Sequence, residues 1–350
     1  MANESVLSGF FVPERANAAL AYELQDSLGV LNGLAGTPGS DAPIVVGPLP
    51  GEQKGQYFTQ ARFDKMASLV TRRDLTSFSA ATLVQMTTDS EKAPVVNLKM
   101  GPVLLPEKTL WMAGASDAEV EMNFVKQCAD QFRSSLQSHV IAAIKGSTAA
   151  FIAGAGGEGY GYDHAYSVWD NSTPVYLSPV ALSGGRSEMG DRLDKINSMF
   201  TRSECFSDMV NTQAAYTSSG SWGENVARGQ NPATLGLPYA IVDSSHLKTD
   251  AVASSSTLSK WYTYLMSSGM VQVEIVNLWF SPPARDNSLE QPSVYLRGDA
   301  DVVIRIKGMN YASTANPSES TLATAGSWGI KTNDHKEFGI VRIETNSAAT

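Results

Sequence analysis

Between Ser116 and Gly146 the apolar residues Val120, Phe124, Cys128, Phe132, Leu136, Val140 and Ile144 recur at four-residue intervals. Side chains spaced this way share one face of an α-helix, so the run predicts one long amphipathic helix over residues 117–145. Ser116 followed by Glu119 is a capping box, and Gly146 is the expected stop. At ~1.5 Å per residue such a rod is ~43 Å long, more than most globular helices. It constrains everything else: the remaining chain has to be laid along a spine.

A second long element answers it. In Val294–Lys307 the residues Val294, Leu296, Ala300, Val302, Ile304 and Ile306 fall on one face of a strand, with Tyr295, Arg297, Asp299, Asp301, Arg305 and Lys307 on the other. At ~3.3 Å per residue this strand spans ~46 Å, nearly the length of the helix, and implies an elongated subunit.

Around these two, Pro13–Leu34 reads as an Ala/Leu-rich helical segment ended by Gly33 and Gly36. Residues 37–55 read as an extended arm that must lean on something, and 57–111 as a projecting β-rich excursion. The middle is mixed: a helical turn capped by Ser187, an apolar run at Ile196–Phe200 and a helix from Ser203 through Val210. Trp261–Leu265 and Met270–Ile275 flank Ser267-Ser-Gly269 and predict a β-hairpin. Phe338–Thr345 alternates as a closing strand.

Composition narrows the chemistry. The formal charge is −9, from 26 Lys plus Arg against 35 Asp plus Glu, without the basic patch that phosphate gripping requires. No window of 18 uncharged apolar residues exists, and Met1–Ser5 lacks a signal-peptide pattern, so a soluble cytosolic chain is expected. Cys128 and Cys205 read as buried reduced thiols.

Gly154-Ala-Gly156-Gly-Glu-Gly159 has the letters of a dinucleotide fingerprint. That motif works between a strand and a helix whose N-terminus receives the pyrophosphate, whereas here a helix precedes it. A connector is the better reading. His139, His164, His246 and His335 show no metal-ligand spacing, and His139 reads as a packing residue beside the apolar stripe. The sequence yields no catalytic, cofactor or metal residue. Arg62, Lys65, Arg72 and Arg73 form a basic group suited to acidic residues of a neighbouring chain, or equally to solvent. Trp328, in the small-residue stretch Thr314–Gly329, is a candidate interface aromatic.

The order of elements resembles the major capsid proteins of tailed bacteriophages, which have the HK-97-like fold. The carriers are the spine "SDAEVEMNFVKQCADQFRSSLQSHVIAAIKG", "ATLGLPYAIVDSSHLK", "WYTYLMSSGMVQVEI", "VYLRGDADVVIRIKG" and the closing "NPSESTLATAGSWGI" with "DHKEFGIVRIETN". The resemblance implies an α+β fold divided into an N-terminal arm (1–55), an extended β loop (56–112), a peripheral domain with the spine helix (113–165) and an axial domain (166–290). Peripheral return strands and loop (291–335) and a strand returning to the axial domain (336–350) would complete it.

It further implies no enzymatic activity, and self-assembly into pentamers and hexamers of an icosahedral head that encloses double-stranded DNA without sequence-specific binding. Assembly would take place in the host cytoplasm, ending in the virion. Thr314–Gly329, with Asn316, Pro317 and Trp328, would meet its counterparts at local threefold positions. The family's long scaffolding extension has no counterpart before the β excursion, which points to a separate scaffolding protein beside a portal and a decoration protein. Two other readings stand against this one: an encapsulin-like compartment with the same fold, and a cytosolic enzyme that uses the glycine-rich loop for a nucleotide.

Overall fold

The computed structural model describes residues 16–20, 28–49, 52–54, 56–63, 88–106, 117–154, 164–168, 175–216, 234–249, 258–281, 284–286, 293–332 and 334–348. The spine helix, α1, runs over Asp117–Ala153, 37 residues and ~55 Å. Phe124, Cys128, Phe132, Leu136, Val140 and Ile144 of the stripe are all buried. The helix does not stop at Gly146. It ends at Gly154, whose φ of +67° is the left-handed conformation that closes helices. Beyond Leu136 the helix is buried almost all round, since Val140 to Ile144, Ser147, Thr148, Ala150 and Phe151 are inaccessible as well. Amphipathic periodicity therefore fades where the helix becomes core.

Strands gather on either side of this helix. In chain order they are Ala35–Gly36 (β1), Ile44–Val46 (β2), Glu52–Lys54 (β3), Tyr57–Phe63 (β4) and Thr88–Pro106 (β5). After α1 come Ala165–Ser167 (β6), helix α2 (Pro179–Ser187), Ile196–Thr201 (β7), helix α3 (Ser203–Tyr216), Tyr239–Ile241 (β8) and Lys248–Thr249 (β9). Leu258–Ser267 (β10), Val271–Phe280 (β11), Ala284–Asp286 (β12), Ser293–Ile306 (β13), Met309–Tyr311 (β14), helix α4 (Glu319–Leu322), Trp328–Ile330 (β15) and Ile340–Ala348 (β16) complete the set. Ser187 proves to be the last residue of α2 rather than its cap. Ser178 caps it, accepting from Ala181 N at 3.2 Å, with Pro179 in the first turn where its missing N–H costs nothing.

One sheet has the order β1-β2-β11-β13-β5-β4-β3, with β12 beside β13. The long strand β13 sits inside it, antiparallel to both β5 and β11. Its face with Leu296, Ala300, Val302, Ile304 and Ile306 joins the core along α1. Val303, on the opposite face, packs into a small second core with Phe58, Ala93 and Val95 at the base of the β loop. The other large sheet is β6-β16-β10-β7-β8 with β9 on β10. Period-two alternation buries both its faces: Tyr262, Tyr264, Met266 and Ile340 toward α1, and Trp261, Leu265, Val341 and Ile343 toward α2 and α3.

The expected hairpin does not form. β10 and β11 follow each other through a tight turn at Gly269, φ +66°, yet they lie in different sheets. The arm takes the hydrogen bonds a hairpin partner would have made. Gly269 N donates to Ala42 O at 2.9 Å and Val271 N to Pro43 O at 3.1 Å, and β2 then runs parallel to β11. The turn is a corner joining two sheets, and the arm is the support that holds it. Upstream, Leu28, Leu31 and Leu34 are buried around the 3₁₀ turn Gly29–Leu34, which anchors the arm on the subunit.

Candidate intersubunit surfaces

The base of the β loop is built on a buried charge network. β4 and β5 are antiparallel from Tyr57–Pro94 to Phe63–Thr88. Arg62 on β4 donates to Glu91 Oε1 at 2.8 Å and to Glu337 Oε2 at 2.9 Å. Arg305 on β13 reaches the other oxygen of Glu91 at 2.6 Å and donates to Gln272 Oε1 at 2.6 Å. Glu91 is only 3% exposed, so two arginines compensate one desolvated carboxylate. Arg62 thus spends its guanidinium on carboxylates of its own chain, and its expected role toward a neighbour has to work around that. Lys65, Arg72 and Arg73 lie outside the described residues. Beside the network opens a polar cleft of about 900 Å³ between the β loop base, the 3₁₀ segment Gly190–Lys195 and the β10–β11 corner.

The small-residue stretch folds back onto the spine. Asn316 has φ +47° and accepts from Asn97 N at 2.9 Å, tying the stretch to β5, and Pro317 behind it is buried. Ser318 caps α4 through Thr321 N. Trp328 is 2% exposed, donates Nε1–H to Leu322 O at 2.8 Å and packs edge-on against Tyr311. A side chain so enclosed is an internal anchor, which corrects its reading as an interface aromatic. Gly146 explains the small residues. A Cβ there would lie 2.0 Å from Leu322 O and 2.8 Å from Trp328 Nε1, so α1 and the loop touch backbone to backbone. Of the three candidate contacts in this loop, Asn316 alone is exposed.

One cluster was not legible in the sequence. Glu319 on α4 accepts from Ser138 Oγ at 2.6 Å and lies 3.3 Å from His246 Nε2 and 3.5 Å from His139 Nδ1. Glu319 lies 73 to 181 positions from these partners, so no local pattern could bring them together. Burial alone would raise the Glu319 carboxyl. The hydrogen bonds from Ser138 and His246, with the neighbouring imidazoles, outweigh it and hold the group below the usual value. His139 is buried as expected, and its ring also meets Ser135 O at 2.7 Å.

Burial pushes the Cys128 thiol up to about 11 and Cys205 up to about 12, and both are free. Among the described residues no group of three or more His, Cys, Asp and Glu could hold a metal ion, and no helix is long and apolar enough to cross a membrane. Gly154 stands at the C-terminal end of α1, where unpaired carbonyls rather than N–H groups face outward, so the helix dipole there repels phosphate. Residues 155–163 lie outside the described set.

A family profile for Gp13-like proteins, "Major capsid protein 13-like", matches residues 14–341. The chain belongs to the Gp13-like major capsid protein family. Solved structures agree on the fold. The capsid of Ralstonia phage GP4 matches with a TM-score of 0.55 at 12% identity, over 90% of this chain and 89% of that one. The capsid asymmetric unit of cyanophage Pam1 matches with a TM-score of 0.54 at 9% identity, over 92% and 93%. No curated protein matches. The fold is α+β and HK-97-like, and the function is that of a major capsid protein of tailed-phage heads. In this capsid protein the conspicuous constellations are joints: arm to corner, loop to spine, β loop to strand.

Proposed function

We propose that this capsid protein assembles into pentamers and hexamers of an icosahedral shell around double-stranded DNA. In this reading residues 1–55 are the arm, 56–112 the β loop, 113–165 and 291–335 the peripheral domain, 166–290 the axial domain and 336–350 the strand that returns to it. The observation that carries the proposal is the family match across 14–341, supported by a fold whose long elements are all in place. The net charge of −9 suits a container that holds DNA loosely, because a strongly basic wall would make salt-dependent phosphate contacts that hinder movement of the genome. Shell formation needs no reactive groups, since many weak contacts multiply within a closed assembly. A separate scaffolding protein, a portal and a decoration protein are the partners this role calls for, with assembly in the host cytoplasm and the virion as destination. Arg62, Lys65, Arg72, Arg73 and Asn316 remain candidate contacts, with Arg62 acting through the network it already holds.

The test is co-expression with the neighbouring genes, followed by velocity sedimentation and negative-stain microscopy. Uniform closed shells tens of nanometres across are expected. Soluble monomers with and without a scaffolding partner would overturn the proposal. Shells that carry an enzyme rather than accompanying portal and terminase genes would favour the encapsulin-like reading.

A further inference from the structure

Where the spine helix crosses the sheet of β6, β16, β10, β7 and β8, cations outnumber carboxylates among the described residues. Lys145 leaves α1 between the buried residues Ile144 and Gly146, and its ammonium lies 5.8 Å from the centre of the Tyr262 ring. The Arg342 guanidinium lies against the same ring at 4.9 Å. Among the described residues Glu344 is the carboxylate present: it binds Arg342 at 2.6 Å and Lys260 at 2.5 Å, and accepts from Ser167 Oγ at 3.3 Å. Lys145 has no ion pair with a carboxylate of the described residues.

Two further donors in the same cluster lack an acceptor among the described residues. Arg342 Nε is buried with no acceptor among the described residues. The Tyr264 hydroxyl, on a wholly buried side chain directly across from Arg342 in the β10–β16 register, has no acceptor for its proton among the described residues. The guanidinium beside it carries no lone pair to offer. Three cations against one carboxylate, with a hydroxyl and an N–H unsatisfied among the described residues, leave the cluster short of both negative charge and hydrogen-bond acceptors. Water could satisfy the donors and leave the charge. An anion satisfies both. The cationic form of Lys145 is disfavoured accordingly, first by burial and then by the charge of Arg342.

We propose that Lys145, Arg342 and Tyr264 form a binding site for a small inorganic anion, chloride or a phosphate-class oxyanion, between the spine helix and strands β10 and β16. Bound there, the anion ties α1 to β10 and β16 and so stiffens the joint between the two large layers of the subunit. Because the site lies within one chain, it operates whether or not shells form.

The experiment follows thermal unfolding of the unassembled protein in sodium gluconate, with gluconate replaced stepwise by chloride in one series and by phosphate in another at constant ionic strength. The wild type is expected to show a saturable rise in Tm of roughly 2–6 °C in at least one series, and the series that saturates first names the anion. Lys145→Met should lose most of that rise while unfolding no earlier than wild type in gluconate, because the uncompensated cation is gone. Tyr264→Phe should weaken the response and keep the fold, which covers the case of an unstable Lys145 variant. A flat wild-type curve overturns the proposal, as does an equal rise in all three proteins, since a general salt effect would spare none of them.

Discussion

Replacing Gly146 by alanine tests the contact on which the small-residue loop depends. In an ordinary helix interior alanine is favoured over glycine by ~0.8–1.0 kcal/mol, so the naive expectation is stabilisation. Here the new methyl would sit 2.0 Å from Leu322 O, where carbon and oxygen normally stay ~3.3 Å or more apart, so helix and loop must separate by over ~1 Å. Overpacking of this kind costs ~1–3 kcal/mol, and displacing Leu322 O stretches the buried Trp328 hydrogen bond, worth a further ~0.5–1.5 kcal/mol. The net is destabilisation of about 2 kcal/mol, opposite in sign to the propensity effect. Urea unfolding of the unassembled protein, read by tryptophan fluorescence, measures it. Gly326→Ala is the comparison in the same loop: nothing lies within 4 Å of a Cβ there, and a near-neutral effect is expected. If Gly146→Ala is as stable as wild type or more so, the backbone-to-backbone contact between α1 and the loop is wrong.

Three more predictions address the other joints. Glu91→Gln leaves Arg62 and Arg305 without their shared carboxylate and should destabilise by ~3–5 kcal/mol in the same urea assay, while an unchanged midpoint would show that the network is not a support. Glu319 is held below the ordinary carboxylate range, so its contribution is fully present above about pH 4.3 and disappears as pH falls through the lower folded value. With the carboxylate over a third exposed, Glu319→Gln should cost at most ~1 kcal/mol at pH 7, and a loss that persists undiminished at pH 3 would contradict the assignment. Cys128 and Cys205 should resist a thiol reagent at pH 8 in the native protein and react in urea, because burial holds both thiols protonated.

The elements that could be read directly from sequence were those whose periodicity meets one continuous core. The stripe of α1 from Phe124 to Ile144 and the alternation of β13 from Leu296 to Ile306 both face the main core, so pattern and structure coincide there. What escaped reading depends on distant partners. Gly146 looks like a stop because glycine ends many helices, yet its role is to admit Leu322, 176 residues later. β10 and β11 look like a hairpin because a Ser-Ser-Gly turn joins two apolar strands. The arm residues Ala42 and Pro43, which intercept the pairing, lie more than 220 residues upstream. Trp328 amid small residues invites an interface reading because local sequence cannot reveal that Tyr311 and the last turn of α4 enclose it. The Glu319 cluster needed three elements to meet, and only the fold brings them together.

The most direct test of the account is a cryo-electron microscopy reconstruction of the particles made when this chain is expressed with its neighbouring genes. The account predicts closed shells of pentamers and hexamers in which each subunit carries the 37-residue spine helix under the Thr314–Gly329 loop, with the β loop lying on an adjacent subunit. Discrete small oligomers, or a subunit whose spine breaks at Gly146, would contradict it.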